Sequence, residues 1–259
     1  MQTHKNGDLV SIETKLGEKF QGIVMPSIDK DVFVLKLKSG YNIGIEISKI
    51  ESMELLSSKK NDGVVSKIAQ NTKLKKILIL HTGGTLASKV SYSSGGVVSR
   101  FSPEEILNMV PELANIANIE TRLVRNMFSE DMNFNHYNLI AKEVEIEIAK
   151  QNVSGIIITH GTDTLHYTSA ALSFMLQGLS IPVILVGAQR SSDRGSSDAF
   201  LNLICAAQFI VNSSFTGIGI CMHKSSSDEA CVILPGLNAR KMHTSRRDAF
   251  KNVNTGVIA

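Results

Sequence analysis

The sequence predicts an α/β protein in two parts, a small N-terminal β-barrel followed by a doubly wound, mostly parallel sheet. Residues 7 to 55 alternate between apolar and polar types, as half-buried strands do. From residue 75 onward, short continuous apolar runs alternate with helical patterns instead. Continuous apolar strands separated by helices are typical of a parallel sheet that is covered on both faces.

The alternation in the first part is clearest in YNIGIEIS, where Ile43, Ile45 and Ile47 face one way and the intervening residues face the other. Turn signals at LGEK, MPSIDKD and KSGYN separate four or five short strands. A small unit leaves few strand edges exposed when it closes or half-closes into a barrel, so we expect a barrel domain over residues 1–56. Nothing in it suggests catalysis, and a scaffold or docking role is the simplest expectation.

A polar, lysine-rich stretch without sustained periodicity follows the barrel and predicts a linker over residues 57–74. The runs KILIL, GIIIT, IPVILVG and TGIGICM then predict the parallel strands of a catalytic domain over residues 75–259. Helices are predicted by the capping box SPEE at 102–105 and by apolar residues spaced four apart within 135–151.

Composition excludes several classes of protein. The formal net charge is +3 with both signs interspersed, which argues against a nucleic-acid-binding stripe or a basic membrane patch. The three cysteines form no CxxC pair, and Cys205 and Cys221 lie inside apolar runs, so we expect a reduced, cytoplasmic protein. The first residues lack the pattern of a signal peptide, and no apolar run is long enough to span a bilayer.

Two apolar runs end in similar glycine and threonine loops, HTGGT at 81–85 and THGTDT at 159–164. The carboxyl ends of parallel strands form the ligand edge of a doubly wound sheet. We therefore expect the loops to bring Thr85 and Thr162 into one crevice.

Phosphate and metal chemistry are both disfavoured at these loops. The GxGxxG and GxxxxGK[ST] patterns are absent, and Asp163 would repel a phosphate. The nearby histidines, His81, His160 and His166, lack ligand spacings such as HExxH, so no metal site is predicted. Neither a GxSxG motif nor a cysteine in a reactive context is present, which leaves a hydroxyl nucleophile.

A threonine hydroxyl needs an adjacent base, because it is unreactive at neutral pH. A lysine can be that base where burial or neighbouring charge lowers the pKa of its amine, and the cluster NARKMHTSRRDAF offers Lys241. In a relay of Thr162, Lys241 and Asp163, the aspartate would orient the lysine and the lysine would accept the threonine proton. Spacing alone leaves open whether Thr85 or Thr162 attacks, and whether Lys241 is simply a surface charge.

Five motifs in register over residues 75 to 250 resemble the bacterial-type L-asparaginase family: HTGGTLAS, FSEDM, THGTDTLHYTSA, PVILVGAQRS and NARKMHTSRRDAF. That family has two signatures, a TGGT loop and an HGTDT loop. The N-terminal part with GYNIGI and the wording of KMHTSRRDAF further resemble one branch, the asparaginase-like subunit of the archaeal-type glutamyl-tRNA(Gln) amidotransferase. The resemblance covers essentially the whole chain and implies an asparaginase-like catalytic domain.

The resemblance implies a catalytic set of four residues. Thr85 is the primary nucleophile in it, and Thr162, Asp163 and Lys241 form the proton-transferring half of the site.

Four substrate-binding residues are also implied by the resemblance. Tyr92 lies on a mobile lid, Ser129 binds the substrate carboxylate, and Asp163 binds the α-ammonium group. Glu130 stands where free-standing asparaginases carry glutamine, and its carboxylate suits an ammonium group.

The implied reaction is hydrolysis of glutamine or asparagine through an acyl-threonine intermediate, with backbone N–H groups of the glycine loops stabilising the oxyanion. In the amidotransferase the ammonia passes to a tRNA-binding partner, a kinase and transferase that uses ATP and Mg to convert Glu-tRNA(Gln) to Gln-tRNA(Gln). The resemblance therefore implies no cofactor on this chain, indirect contact with tRNA, and a homodimer core within a heterotetramer.

Two alternatives stay open, a free-standing L-asparaginase with an added N-terminal domain and a non-catalytic scaffold protein. The preference between glutamine and asparagine is open as well. The family continues with a second, smaller α/β domain that completes the site of a dimer partner, whereas this sequence stops at Ala259. We therefore expect a truncated chain that has little glutaminase activity on its own.

Overall fold

The computed structural model describes residues 8–25, 31–37, 42–57, 71, 73–84, 89–91, 96–98, 106–107, 110–190 and 197–259. The chain divides into two compact units, Met1–Ser66 with Val90–Val98 and Lys67–Lys89 with Ser99–Ala259. The predicted capping box at 102–105 and most of the predicted linker lie outside the described residues. Among the residues that are described, no helix has the length and apolar character needed to cross a membrane.

The first unit is an antiparallel sheet of five strands. Its core contains buried residues from every strand, as in a small barrel, and the hydrogen-bonded order is β4-β3-β2-β1-β5. The sheet ends its pairing at β4 and β5, and the 3-10 turn Ile47–Lys49 between them replaces the last part of the predicted alternation. The strands are β1 (Leu9–Thr14), β2 (Lys19–Met25), β3 (Val32–Leu37), β4 (Asn42–Glu46) and β5 (Ile50–Ser57).

Two short strands, β7 (Lys89–Ser91) and β8 (Gly96–Val98), pair with each other. The second unit contains a six-stranded sheet in the order β13-β12-β11-β10-β6-β9. Neighbouring strands are parallel except for β12 and β13, which are antiparallel. The strands are β6 (Lys76–Gly83), β9 (Asn118–Met127), β10 (Gly155–Thr159), β11 (Pro182–Val186), β12 (Gly217–His223) and β13 (Cys231–Pro235).

All four apolar runs that predicted parallel strands are strands of this sheet, as β6, β10, β11 and β12. The edge strands β9 and β13 were not predicted. β9 lies at one end of the sheet and carries charged residues such as Glu120 and Arg122, so it lacks the continuous apolar run of a central strand.

Helices α1 (Phe134–Lys150), α2 (Leu165–Met175) and α3 (Ala199–Asn212) cover the two faces of this sheet. Alternate strand residues separate into two cores: Ile157 packs with α3 residues, whereas Ile156 and Ile158 pack with residues of α1 and α2. This two-sided cover confirms the predicted doubly wound, mostly parallel architecture.

Helix α1 lies one residue earlier than the pattern over 135–151 predicted. Its first turn is capped by Asn133, whose side chain accepts from the Asn135 backbone N–H at 3.1 Å, in a capping box with His136. It ends where Gln151 adopts a left-handed conformation with φ 53°.

Candidate active site

The two glycine loops meet at the carboxyl edge of the sheet. Parallel pairing of β6 with β10 sets His81 opposite Thr159, so the loops that follow leave side by side. A Cβ added at Gly84 would lie 2.6 Å from the Gly161 nitrogen, and Gly84 has φ +83°, so only glycine fits there. Thr85, the next residue, lies outside the described residues, as does Tyr92.

Thr162, Asp163 and Lys241 contact one another. Lys241, the last residue of β14 (Ala239–Lys241), donates from Nζ to Thr162 Oγ1 at 2.8 Å and to Asp163 Oδ1 at 2.7 Å. The Lys241 side chain is 7% exposed, whereas that of Asp163 is 56% exposed. The amine is therefore enclosed between a hydroxyl and a carboxylate, and the carboxylate remains accessible to a second cation.

Gln189 joins this group, and sequence reasoning missed it. Thr162 Oγ1 donates to Gln189 Oε1 at 2.9 Å. The backbone N–H groups of Gln189 and Arg190 each donate to an oxygen of the buried Asp198 carboxylate, at 2.9 Å in both cases. Gln189 follows β11 at the same sheet edge as the threonine loops, so the strand-end reasoning used for β6 and β10 would have found it.

Ser129 and Glu130 lie against the second threonine loop. A Cβ added at Gly161 would be 2.7 Å from Ser129 Cβ, and Thr164 Oγ1 donates to the Ser129 carbonyl at 2.6 Å. Ser129 is 4% exposed, and its hydroxyl donates to Glu130 Oε2 at 3.1 Å. A substrate carboxylate would therefore have to replace Glu130 as the acceptor of this hydroxyl.

Two buried histidines brace the loops. His81 Nδ1 lies 2.9 Å from Thr159 Oγ1, and His160 bridges the Gly161 carbonyl at 2.7 Å and the Thr168 hydroxyl at 2.8 Å. Burial lowers the pKa of His81 and of His160 to about 4, so both imidazoles are neutral at pH 7. In the part of the chain that the structure describes, no three His, Cys, Asp or Glu side chains are placed to share a metal ion.

His166, the third histidine at this edge, is buried in the first turn of α2. Burial lowers the pKa of His166, and the charges of Arg240 and Lys241 lower it further. His166 therefore adds no positive charge beside the Lys241 amine at neutral pH.

The arrangement has the parts that acyl transfer requires. A hydroxyl contacts an amine, and the amine contacts a carboxylate, which is the order of nucleophile or proton carrier, base and orienting group. Thr162 has one hydroxyl proton, which it gives to Gln189, so Lys241 donates to Thr162 and is protonated in this arrangement.

The chain matches known families over most of its length. Residues 76–259 match the N-terminal asparaginase domain, and residues 4–56 match the GatD N-terminal domain. The GatD-type glutamyl-tRNA(Gln) amidotransferase subunit of Methanococcus maripaludis is 44% identical over 256 residues, covering 98% of this chain and 60% of that protein. The corresponding subunit of Pyrococcus furiosus is 46% identical over 262 residues, covering 98% and 59%. The chain thus spans about 60% of the length of the curated relatives it matches.

Solved structures give the same family. The thermostable L-asparaginase from Thermococcus kodakarensis has a TM-score of 0.60 and 34% identity, covering 71% of this chain and 52% of that one. A probable cytoplasmic L-asparaginase from Campylobacter jejuni has a TM-score of 0.61 and 27% identity, covering 71% and 55%. These matches confirm the resemblance in the motifs, and the domain match takes in both threonine loops and Lys241. The chain therefore belongs to the asparaginase family.

Proposed function

We propose that this chain is the amidohydrolase part of a glutamyl-tRNA(Gln) amidotransferase subunit that releases ammonia from glutamine or asparagine. The observation that carries the proposal is the Lys241 amine, which contacts both Thr162 and Asp163 beside the two threonine loops. The relatives that match 98% of this chain bear the name of that subunit, which favours the amidotransferase over a free asparaginase.

The proposed reaction forms and then hydrolyses an ester on threonine. The Thr85 hydroxyl oxygen, assigned from the family, bonds to the amide carbon of the substrate, and the C–N bond breaks. The leaving nitrogen takes a proton and departs as ammonia, and a water molecule then cleaves the ester to release the free acid. Thr162 and Lys241 carry the protons, Asp163 orients Lys241, and backbone N–H groups of the glycine loops stabilise the oxyanion.

The amino-acid head group of the substrate would bind on the other side of these residues. Asp163 contacts Lys241 through one oxygen and is more than half exposed, which leaves it accessible to an α-ammonium group. Glu130 would add a second acid to that pocket, and Ser129 would bind the carboxylate. Tyr92, assigned from the family alone, would close over the substrate.

The assembly follows from the same proposal. The ammonia would pass to a tRNA-binding partner subunit that holds ATP and Mg, so this chain needs no cofactor and meets tRNA only indirectly. A homodimer would form the core of a heterotetramer. The domain limits 1–56, 57–74 and 75–259 and the cytoplasmic location belong to the proposal too, and the three free cysteines support a reducing compartment.

The test uses the full-length protein with its partner subunit. Ammonia release from glutamine that rises when Glu-tRNA(Gln) and ATP are added would support the proposal. Rapid hydrolysis of free asparagine without the partner would instead establish a free asparaginase, the activity of the structurally similar Thermococcus protein by its name. Binding of the partner without any ammonia release would establish a scaffold.

A further inference from the structure

The carboxamide of Gln189 has an unused donor next to the proposed relay. Its Oε1 accepts the Thr162 hydroxyl at 2.9 Å. Its Nε2 is buried and has no hydrogen-bond partner within the described part of the chain. Leaving a buried N–H group unpaired is unfavourable, so an unpaired donor beside a reactive hydroxyl needs an explanation.

Rotation of this carboxamide by half a turn exchanges its oxygen and nitrogen without changing its shape. In the rotated orientation Nε2 donates to Thr162 Oγ1, which satisfies the buried donor. The hydroxyl proton of Thr162 must then point to its other neighbour, Lys241 Nζ at 2.8 Å. That contact requires a neutral amine, whereas the first orientation requires a protonated one, so each amide orientation corresponds to one protonation state of Lys241.

The backbone around Gln189 is fixed, which leaves only the side chain to turn. Asp198 holds the N–H groups of Gln189 and Arg190 and is fully buried. Asn202 donates to the Gly187 carbonyl at 3.0 Å and to Asp198 Oδ2 at 3.3 Å, which anchors the start of the same loop.

We propose that Gln189 is a positioning residue whose carboxamide orientation directs the Thr162 proton toward residue 189 at rest and toward Lys241 during reaction. This rests on the proposed function, which requires a proton to move between Thr162 and Lys241. In that step the Thr162 O–H bond breaks and the proton joins the lone pair of Lys241 Nζ. The Thr162 oxygen accepts from Gln189 Nε2, then takes the proton of the attacking hydroxyl or water, and Lys241 gives its proton to the leaving nitrogen.

Two substitutions of similar shape separate this role from packing. Gln189→Glu can only accept, so it holds the Thr162 proton and favours the protonated Lys241. Gln189→Met does neither, so Thr162 can still donate to Lys241. We expect kcat to fall about 100-fold or more in Gln189→Glu and about 10-fold or less in Gln189→Met, with KM little changed in both. The assay is ammonia release by the full-length protein with its partner subunit and Glu-tRNA(Gln).

The pH profile gives a second readout that packing would not change. The charged or titratable groups that contact or influence Lys241 among the described residues are Asp163, Arg240 and His166. These are the same in both variants, so a profile displaced to higher pH only in Gln189→Glu reports the added carboxylate. Gln177→Glu makes the same chemical change at an exposed position and should leave kcat and the profile as in the wild type. Equal losses in the two Gln189 variants would overturn the proposal.

A binding-independent measurement covers the case in which the wild type releases no ammonia and the proposed function itself fails. In the ¹⁵N-labelled protein, the side-chain amide signal of Gln189 is assigned by its loss in Gln189→Met. We expect this signal to move between about pH 7 and pH 11 in the wild type and to stay still in Lys241→Met. The same movement in both proteins, or none in either, would overturn the coupling.

Discussion

Lys241 Nζ lies 2.8 Å from Thr162 Oγ1 although 79 positions separate the two residues. The contact depends on how a short ribbon packs on α2. In that ribbon Lys241 of β14 pairs with Phe250 of β15 (Phe250–Asn252). The Phe250 ring lies 6.4 Å from the His166 ring in the first turn of α2, and α2 begins directly after the Thr162 loop. The ribbon and the loop are thus held against the same turn of helix.

Replacing Asp163 by asparagine should lower activity far more than stability. The Asp163 side chain is 56% exposed, so its ion pair with Lys241 should contribute less than about 1 kcal/mol to folding. The amide still fills the position but no longer opposes the charge of the lysine, so kcat for ammonia release should fall about 100-fold or more. Asp228→Asn is the matched control, because Asp228 is 62% exposed and also forms an ion pair. A wild-type kcat in Asp163→Asn would contradict the orienting role.

Gly84→Ala should destabilise the chain more than Gly178→Ala does. Both glycines have positive φ, +83° and +71°, so the backbone strain is similar at about 1 kcal/mol. Only at Gly84 does the added Cβ meet backbone, at 2.6 Å from the Gly161 nitrogen, whereas nothing lies within 4 Å at Gly178. Urea unfolding should show a loss of about 3 kcal/mol or more for Gly84→Ala. Equal losses would mean that the loops do not pack as described.

Asp198 should be one of the most sensitive polar positions of the second unit. Asp198→Ala leaves the backbone N–H groups of Gln189 and Arg190 without their acceptor, so we expect a loss of about 2–4 kcal/mol in the free energy of unfolding. Asp198→Asn keeps one acceptor oxygen and should lose about half as much. Denaturant titration measures both, and a loss under about 1 kcal/mol in the alanine variant would show that the loop finds other partners.

Stability should fall as the pH drops from about 6.5 toward 4. Burial lowers the pKa of His81 and His160 to about 4 in the folded chain, whereas an unfolded histidine has a pKa of about 6.5. In this window the unfolded chain binds more protons, so the free energy of unfolding rises with pH and is complete above about pH 6.5. Each histidine contributes about 3 kcal/mol at most.

Urea unfolding at pH 7.5 and at pH 5 measures this slope. His160→Gln should reduce the difference between the two pH values even though it lowers stability at both. An unchanged difference in the variant would show that His160 is not the group responsible.

Much of this architecture could be predicted from local pattern. The central strands are continuous apolar runs, and strand ends in a parallel sheet share one edge, so the meeting of the two glycine loops followed from the sequence. Thr82, interpreted as a turn residue, is instead part of β6, where its hydroxyl donates to the Thr159 carbonyl at 2.8 Å. Its neighbour on the adjacent strand decides this, and a single segment does not reveal it.

Other parts depend on tertiary contacts that have no local pattern. The position of Lys241 over Thr162 requires the β14–β15 ribbon to pack on α2, and neither short strand has a periodic signal. Gln189 has no charge and matches no general catalytic motif, so only its contact with Thr162 identifies it. The hydroxyl of Ser129 likewise acquires a defined partner, Glu130, only in the folded chain.

The most direct test of the proposed relay is the rate of ammonia release by Lys241→Met in the full-length protein with its partner subunit, glutamine and Glu-tRNA(Gln). Methionine fills a similar volume without an amine, and Lys224→Met removes an exposed lysine elsewhere as the control. Removing one member of a catalytic unit typically costs about 1,000-fold or more in kcat. We predict such a loss for Lys241→Met with partner binding intact and wild-type activity for Lys224→Met. Activity within about 10-fold of the wild type in Lys241→Met would contradict the relay.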